Sequence, residues 1–155
     1  MLRTTSTSRQ KIDFQVLVDD REVTTFETTG APEMGGFRLD EVRYRATRDA
    51  KGTFRVLRDG ELFCEGRQGR AGRRRVGLTV GEHEVVLRGK SPFRRTLVIE
   101  RDGVPVGEVK PQGLFSRDVA VETAADLPTD LQIVLVWVAI LLWDDRADRD
   151  RITSL

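Results

Sequence analysis

The sequence predicts an all-β protein, a closed antiparallel barrel of about 12 strands that encloses one hydrophobic C-terminal helix. Three observations favour this fold class. Short runs that alternate apolar and polar residues recur between residues 11 and 123, Asp-Gly pairs separate some of them, and one fully apolar segment follows. Period-two alternation is typical of strands with one buried face, and Asp-Gly between two such runs is a strong hairpin signal.

The length of 155 residues favours a single domain. We expect a flexible N-terminus at residues 1–10, because this stretch is polar, and a single barrel domain at residues 11–143. Within the domain, the predicted central helix spans residues 127–143. Residues 144–155 form a predicted charged tail.

The predicted strands are clearest in KIDFQVLVDD, which starts at residue 11, and in EVRYRATR, where Arg43 and Arg45 fall on the polar side. Asp-Gly occurs at positions 59–60 and 102–103. A weak repeat links FQVLVDDREV, FRVLRDGELF and LVIERDGVPV, which begin at Phe14, Phe54 and Leu97. Two interpretations remain open: all hairpins look alike, or the sheet is built from repeated hairpins.

The predicted helix lies in DLPTDLQIVLVWVAILLWDD, residues 126–145. Asp126 is a good N-cap, Pro128 is tolerated in a first turn, and Asp130 lies near the positive end of the helix dipole. From Ile133 to Trp143 every residue is apolar. This run is about 16 Å long, whereas a bilayer core is about 30 Å thick, so length favours burial inside the strands over a membrane anchor.

A family resemblance rests on the stretch IERDGVPVGEVKPQGLFSRDVAVETAADLPTDLQIVLVWVAILLW, residues 99–143, in which a hairpin and a G-x-F-like turn at Gly113 to Phe115 lead into the apolar helix. This stretch resembles the tubby C-terminal-like superfamily, in particular small prokaryotic LURP-one-related and phospholipid scramblase-like members. The resemblance implies a 12-stranded barrel threaded by a hydrophobic helix. It also implies a non-catalytic binding module, since tubby domains bind phosphoinositides through basic residues on the barrel surface.

The segment RQGRAGRRR, residues 67–75, is the most basic stretch of a chain whose net charge is only +1. Clustered arginines clamp phosphates of lipid headgroups or other phosphorylated ligands. The alternative is a solvated turn whose charges pair with nearby glutamates. The anion-site hypothesis gains strength if the barrel brings Arg94 and Arg95 beside the segment. The candidate anion-binding or lipid-binding residues are Arg67, Arg70, Arg73, Arg74, Arg75, Arg94 and Arg95.

Other kinds of site are disfavoured by the sequence. No aromatic residue lies between Phe63 and Phe93, which disfavours stacking on nucleic acid bases. His83 is the only histidine, so neither a catalytic triad nor a metal site is expected. The single cysteine, Cys64, shares a predicted strand face with Leu62 and suits a small buried hydrophobe. We expect no catalytic residues, no metal and no cofactor.

The sequence therefore predicts a non-catalytic binding module for anionic lipid headgroups or phosphorylated ligands at a membrane surface. Its expected location is cytoplasmic, with a peripheral membrane position as the extension of that hypothesis. Two alternatives stay open. One is a tail-anchored membrane protein with a cytosolic β head, and the other is a protein-interaction domain.

Overall fold

A computed structural model describes residues 1–8, 11–69, 74–91, 94–113, 117–123 and 126–153, with the side chains of the last range described as far as Asp144. The predicted architecture is confirmed: twelve antiparallel strands form a closed barrel around one C-terminal helix. Each strand pairs with its neighbours in the chain, and β1 pairs with β12 to close the sheet. The elements are β1 Leu2–Ser6, β2 Phe14–Val18, β3 Arg21–Thr29, β4 Ala31–Leu39, β5 Val42–Arg48, β6 Thr53–Arg58, β7 Glu61–Gln68, β8 Arg75–Val80, β9 His83–Gly89, β10 Leu97–Arg101, β11 Val104–Pro111, β12 Val119–Thr123 and α1 Thr129–Thr153.

The prediction of a flexible N-terminus at residues 1–10 is wrong for strand β1. Leu2 pairs with Val18 on one side and with Val121 on the other, so β1 completes the barrel. Leu2 and Thr4 are both 2% exposed and face the interior. The polar composition of this strand hid its alternation, because threonine is a good strand former that carries little hydrophobic signal.

Helix α1 fills the barrel. Between Leu131 and Trp143, every residue except Gln132 is at most 7% exposed. Trp137 is fully buried, its ring lies 5.9 Å from that of Phe26 and 5.6 Å from that of Phe54, and its indole N–H donates to the Pro32 carbonyl. A helix that is apolar on every side needs such a complete apolar sleeve.

The helix limits differ from the predicted 127–143. Helix α1 begins at Thr129, and the Pro128 carbonyl just before it accepts the first helical hydrogen bond, from the Gln132 N–H. Proline is tolerated there because the first N–H groups of a helix have no intrahelical acceptor. The helical backbone continues to Thr153, through much of the predicted charged tail. Within the described part of the chain, no helix combines the length and apolarity needed to cross a bilayer.

Two-residue turns gather at one end of the barrel, which we call the turn end. They join β2–β3, β4–β5, β6–β7, β8–β9 and β10–β11. At positions 19–20, 40–41, 59–60 and 102–103, both turn residues have positive φ, as type I′ hairpin turns require. The other connections, among them the single residue Gly30 between β3 and β4, lie at the opposite end, which we call the loop end.

Three of these turns share a further feature that explains the weak repeat. Asp19, Asp59 and Asp102 each make two hydrogen bonds with one partner residue near the start of a neighbouring strand. The backbone N–H of the aspartate donates to the partner's carbonyl, and the partner's backbone nitrogen donates to the aspartate Oδ1. We call these contacts the aspartate clasps. The partners are residues 1, 43 and 84, at the starts of β1, β5 and β9. The barrel is thus built from three similar four-stranded units.

Each of the three hairpins also carries a β-bulge at the third residue after its turn. The pairing skips Val23 in β3, Phe63 in β7 and Val106 in β11. A bulge shifts the inside–outside alternation by one residue. The prediction that Leu62 and Cys64 share a face is therefore wrong: Leu62 is 57% exposed, while Cys64 is 1% exposed.

The enclosed helix generates a stability prediction. We expect Trp137→Asp to lower the free energy of unfolding by several kcal/mol, because it leaves an unpaired charge in an apolar interior. Trp137→Phe is the control and should cost about 1–3 kcal/mol, since it removes volume and one hydrogen bond but adds no charge. Chemical denaturation measures both. A Trp137→Asp variant that unfolds at the wild-type denaturant concentration would contradict the enclosed position.

The aspartate clasps generate a second prediction. Asp59→Ala should lower the free energy of unfolding by about 1 kcal/mol more than Asp40→Ala, because Asp59 alone of the two holds a neighbouring strand. The comparison is matched, since both aspartates open a turn with similar positive φ, 48° and 50°. Thermal melts of the two variants measure the difference. Equal losses would show that the turn backbone, rather than the clasp, carries the effect.

Candidate functional site

Those sequence-predicted arginines that the structure describes lie toward the loop end of the barrel. Arg67 is an exposed residue of β7, and Arg75 is an exposed residue at the start of β8 that lies opposite Arg88 of β9. Arg94 is exposed in the connection from β9 to β10. Arg70 and Arg73 lie outside the described residues, as does Phe115 of the G-x-F-like turn.

The structure brings the two predicted basic segments together through Arg74. Its Nη1 donates to the Arg94 carbonyl at 2.6 Å, and its Nη2 donates to the Ser91 carbonyl. The guanidinium of Arg74 therefore ties the β9–β10 connection to the start of β8. These contacts give Arg74 a structural role beside its predicted one.

Arg95 is engaged with the end of the buried helix. Its guanidinium carbon lies 5.1 Å from the Trp143 ring centroid, a cation–π distance, and its Nη1 donates to the Gly113 carbonyl. The Trp143 indole N–H donates in turn to the Arg95 carbonyl at 2.8 Å. Arg95 therefore packs against Trp143 of α1 at the loop end of the barrel.

A second group of arginines, which the sequence prediction missed, lies on the outer wall toward the turn end. Arg38 of β4 pairs directly with Arg43 of β5, and Arg45 follows two residues along the same face of β5. All three side chains are exposed. Among the described residues, none of the three guanidinium groups has an acidic partner within 4.0 Å or makes a hydrogen bond. We call these residues the arginine triad.

The opposite side of the barrel wall shows the usual arrangement of charges. Lys90 contacts Glu108 at 2.6 Å, and Lys110 contacts Glu108 at 3.5 Å and Glu122 at 2.9 Å. The hydrogen bond from Lys90 is the main cause that holds the pKa of Glu108 below its usual range. We call this network the paired wall. Its cations are neutralised across the strands, whereas those of the arginine triad are not.

The arginine triad borders a groove of about 700 Å³ on strands β3, β4 and β5. Gly36 forms part of its lining, and a Cβ there would lie 2.2 Å from the Tyr44 carbonyl oxygen, so the backbone stays bare. An adjoining groove of about 490 Å³ shares the triad and reaches Leu57. The Asp59 carboxylate lines this second groove, but its Oδ1 accepts from the Arg43 backbone N–H as an aspartate clasp.

The triad was hidden because its members come from two strands. The alternation of the sequence puts Arg43 and Arg45 on the polar side of one strand, which is the ordinary position of solvated charge. The missing signal was the two-residue turn at positions 40–41, which sets the register that pairs Arg38 with Arg43. Asp-Glu is a weaker turn signal than Asp-Gly, so the sequence does not predict the hairpin of β4 and β5.

A buried polar cluster lies inside the turn end of the barrel, behind the triad. The Tyr44 hydroxyl donates to Asp130 Oδ2 at 2.6 Å, and Arg58 Nη1 lies 3.7 Å from the same oxygen. Burial, followed by the hydrogen bond with Asp130, raises the pKa of Tyr44 to about 12. Burial likewise raises the pKa of Cys64 to about 12, so its thiol stays protonated at neutral pH. The cluster anchors the first turn of α1; Tyr44 and Asp130 are buried, while the Arg58 side chain is 52% exposed.

His83 lies at the turn end, where its Nδ1 is 2.7 Å from Asp102 Oδ2. The backbone N–H of Glu84, and then His83, hold the pKa of Asp102 below its usual range. Within the described ranges, no three His, Cys, Asp or Glu side chains are grouped so that they could hold a metal ion. His83 therefore contacts the second carboxylate oxygen of Asp102, whose Oδ1 forms the aspartate clasp with Glu84.

Comparison of the chain with protein-family models, with curated proteins and with solved structures found no match in any of the three. The barrel and its enclosed helix are therefore known from the structure alone. The resemblance to the tubby C-terminal-like superfamily stays a prediction from the sequence.

The buried Tyr44 and Cys64 generate a prediction about alkaline pH. Their ordinary pKa values are 10.0 and 9.0, and both rise to about 12 on folding. A raised folded pKa gives stability that is complete below the ordinary value and is lost as the pH rises through the folded value. We expect the urea midpoint to fall between pH 9 and pH 12, and to fall less steeply above pH 10 in Tyr44→Phe.

The chain has one tyrosine, so the ultraviolet absorbance of tyrosinate reports Tyr44 directly. In the folded protein this absorbance should rise near pH 12, and in concentrated urea near pH 10. The same titration midpoint in both conditions would contradict the buried hydrogen bond.

Proposed function

We propose that this protein is a non-catalytic binding module whose arginine triad holds a phosphate group or a similar oxyanion in the outer groove. The observation that carries the proposal is the set of three exposed guanidinium groups at Arg38, Arg43 and Arg45, which have no partner among the described residues. Guanidinium groups match the geometry of phosphate oxygens and bind them through paired N–H donors.

The energetics of the sheet support a binding role. Like charges directly opposite each other on antiparallel strands are destabilising by up to about 1 kcal/mol, and Arg38 and Arg43 occupy such a pair. The paired wall shows that this sheet neutralises cations elsewhere with glutamates. A bound anion would convert the repulsion within the arginine triad into attraction.

The ligand has two proposed sources with the same chemistry: an anionic lipid headgroup and a soluble phosphorylated molecule. A membrane source is supported by Leu62, which is 57% exposed and lies in the same cross-strand row as Leu57 and Arg45. Arginines beside exposed apolar side chains suit a peripheral position on a cytoplasmic membrane face. The resemblance to tubby-like proteins favours the same role.

The loop-end arginines are the competing location for this function. Arg67, Arg75 and Arg94 are exposed there. The arginine triad is the better candidate because its three members line one groove. At the loop end, Arg74 and Arg95 donate to loop carbonyls, which leaves fewer donors there for a ligand. The two locations lie at opposite ends of the barrel, so variants separate them.

The proposal predicts binding to an exposed phosphate. The full chain should co-sediment with phosphatidic acid vesicles or bind soluble ethyl phosphate, and binding should weaken as salt rises. The Arg43→Ala/Arg45→Ala double variant should bind about tenfold more weakly, since it loses two charge-assisted contacts. Sedimentation measures the lipid source, and NMR titration with ethyl phosphate measures the soluble one.

Lys90→Ala/Lys110→Ala is the matched control, because it also removes two positive charges but from the paired wall. It should bind like wild type. An equal loss of binding in the two double variants would mean that binding depends on the net charge of the protein and not on the arginine triad. Loss only in Arg67→Ala/Arg75→Ala/Arg94→Ala would move the site to the loop end.

A further inference from the structure

Among the described residues that line the larger groove beside the arginine triad, one carries a carboxylate, namely Glu27. This exposed residue of β3 pairs with Gly36 of β4, which pairs in turn with Arg45 of β5. Glu27 and Arg45 therefore belong to one cross-strand row and flank the bare backbone of Gly36. Because neighbouring strands lie about 4.8 Å apart, their Cα atoms are separated by about 10 Å.

Glu27 does not neutralise the arginine triad. Among the described residues, its carboxylate makes no ion pair and no hydrogen bond, although three guanidinium groups share its groove. Gly36 leaves the space between the two charges open to a ligand, since no side chain can occupy it: a Cβ at that position would clash with the Tyr44 carbonyl oxygen. The groove is thus positive on one side and negative on the other.

This separation of charge selects among phosphate ligands. A simple phosphate ester is attracted by the arginines but repelled by Glu27. A phosphate ester that also carries an ammonium group satisfies both sides, because the ammonium approaches Glu27 while the phosphate approaches the arginine triad. The same carboxylate therefore opposes the first ligand and favours the second.

We propose that the groove binds a phosphate ester bearing an ammonium group, with Glu27 as the specificity-determining residue. The inference rests on the proposed function, since it takes the arginine triad as the phosphate site. O-phosphoethanolamine has this chemistry in solution, and the headgroup of phosphatidylethanolamine has it on a membrane.

The test compares O-phosphoethanolamine with ethyl phosphate, which has nearly the same size and lacks the ammonium group. NMR titrations of the full chain at low salt give both dissociation constants. We expect wild type to bind O-phosphoethanolamine about fivefold more tightly, although its net negative charge is smaller. Glu27→Gln should abolish this preference by tightening ethyl phosphate and weakening O-phosphoethanolamine. Glu22→Gln, an exposed position on the same strand outside the groove lining, should preserve it.

The outcomes separate the two proposals. Wild type that binds neither ligand overturns the phosphate site itself. Wild type that binds ethyl phosphate as tightly as O-phosphoethanolamine, or a preference that survives Glu27→Gln, overturns the selectivity and leaves the phosphate site standing. Vesicles containing phosphatidylethanolamine distinguish the sources: sedimentation that depends on Glu27 assigns the lipid, and binding of the free ester alone assigns a soluble ligand.

Discussion

The enclosure of helix α1 by the closed sheet is the constraint on which the rest of the structure depends. Each strand offers one apolar face, and the helix is apolar on all sides, so neither element can bury its surface without the other. Trp137 lies near the middle of this contact, between Phe26 and Phe54. Closure also removes every free sheet edge, so the outer wall becomes a continuous surface available for binding.

The ends of the barrel hold the helix in different ways. At the turn end, Asp130 accepts from Tyr44 and lies near Arg58. At the loop end, Trp143 donates to the Arg95 carbonyl and lies beneath the Arg95 guanidinium. Arg95 was predicted as a ligand-binding residue, and the structure shows what else it does. Its packing on the helix illustrates why a basic residue in a loop is not in itself a binding site.

The outer wall carries the functional proposal because its charges are distributed unevenly. In the paired wall the lysines contact glutamates, while the three guanidinium groups of the arginine triad have no acidic partner among the residues that the structure describes and lie beside a groove. Glu27 lies in the same groove without neutralising the triad. Such an arrangement sacrifices some stability of the sheet, and a ligand with complementary charges would restore it.

Local rules determined the fold class from the sequence alone. Period-two alternation, Asp-Gly turns and an apolar run too short for a bilayer are properties of neighbouring residues, and they sufficed for the barrel and its central helix. The same rules missed β1, because its threonines carry little hydrophobic signal, and they misplaced Leu62, because a bulge leaves no mark in the composition. Only the tertiary structure decided which charges meet. Arg38, Arg43 and Glu27 come from three strands, and strand register, rather than residue type, places them around one groove.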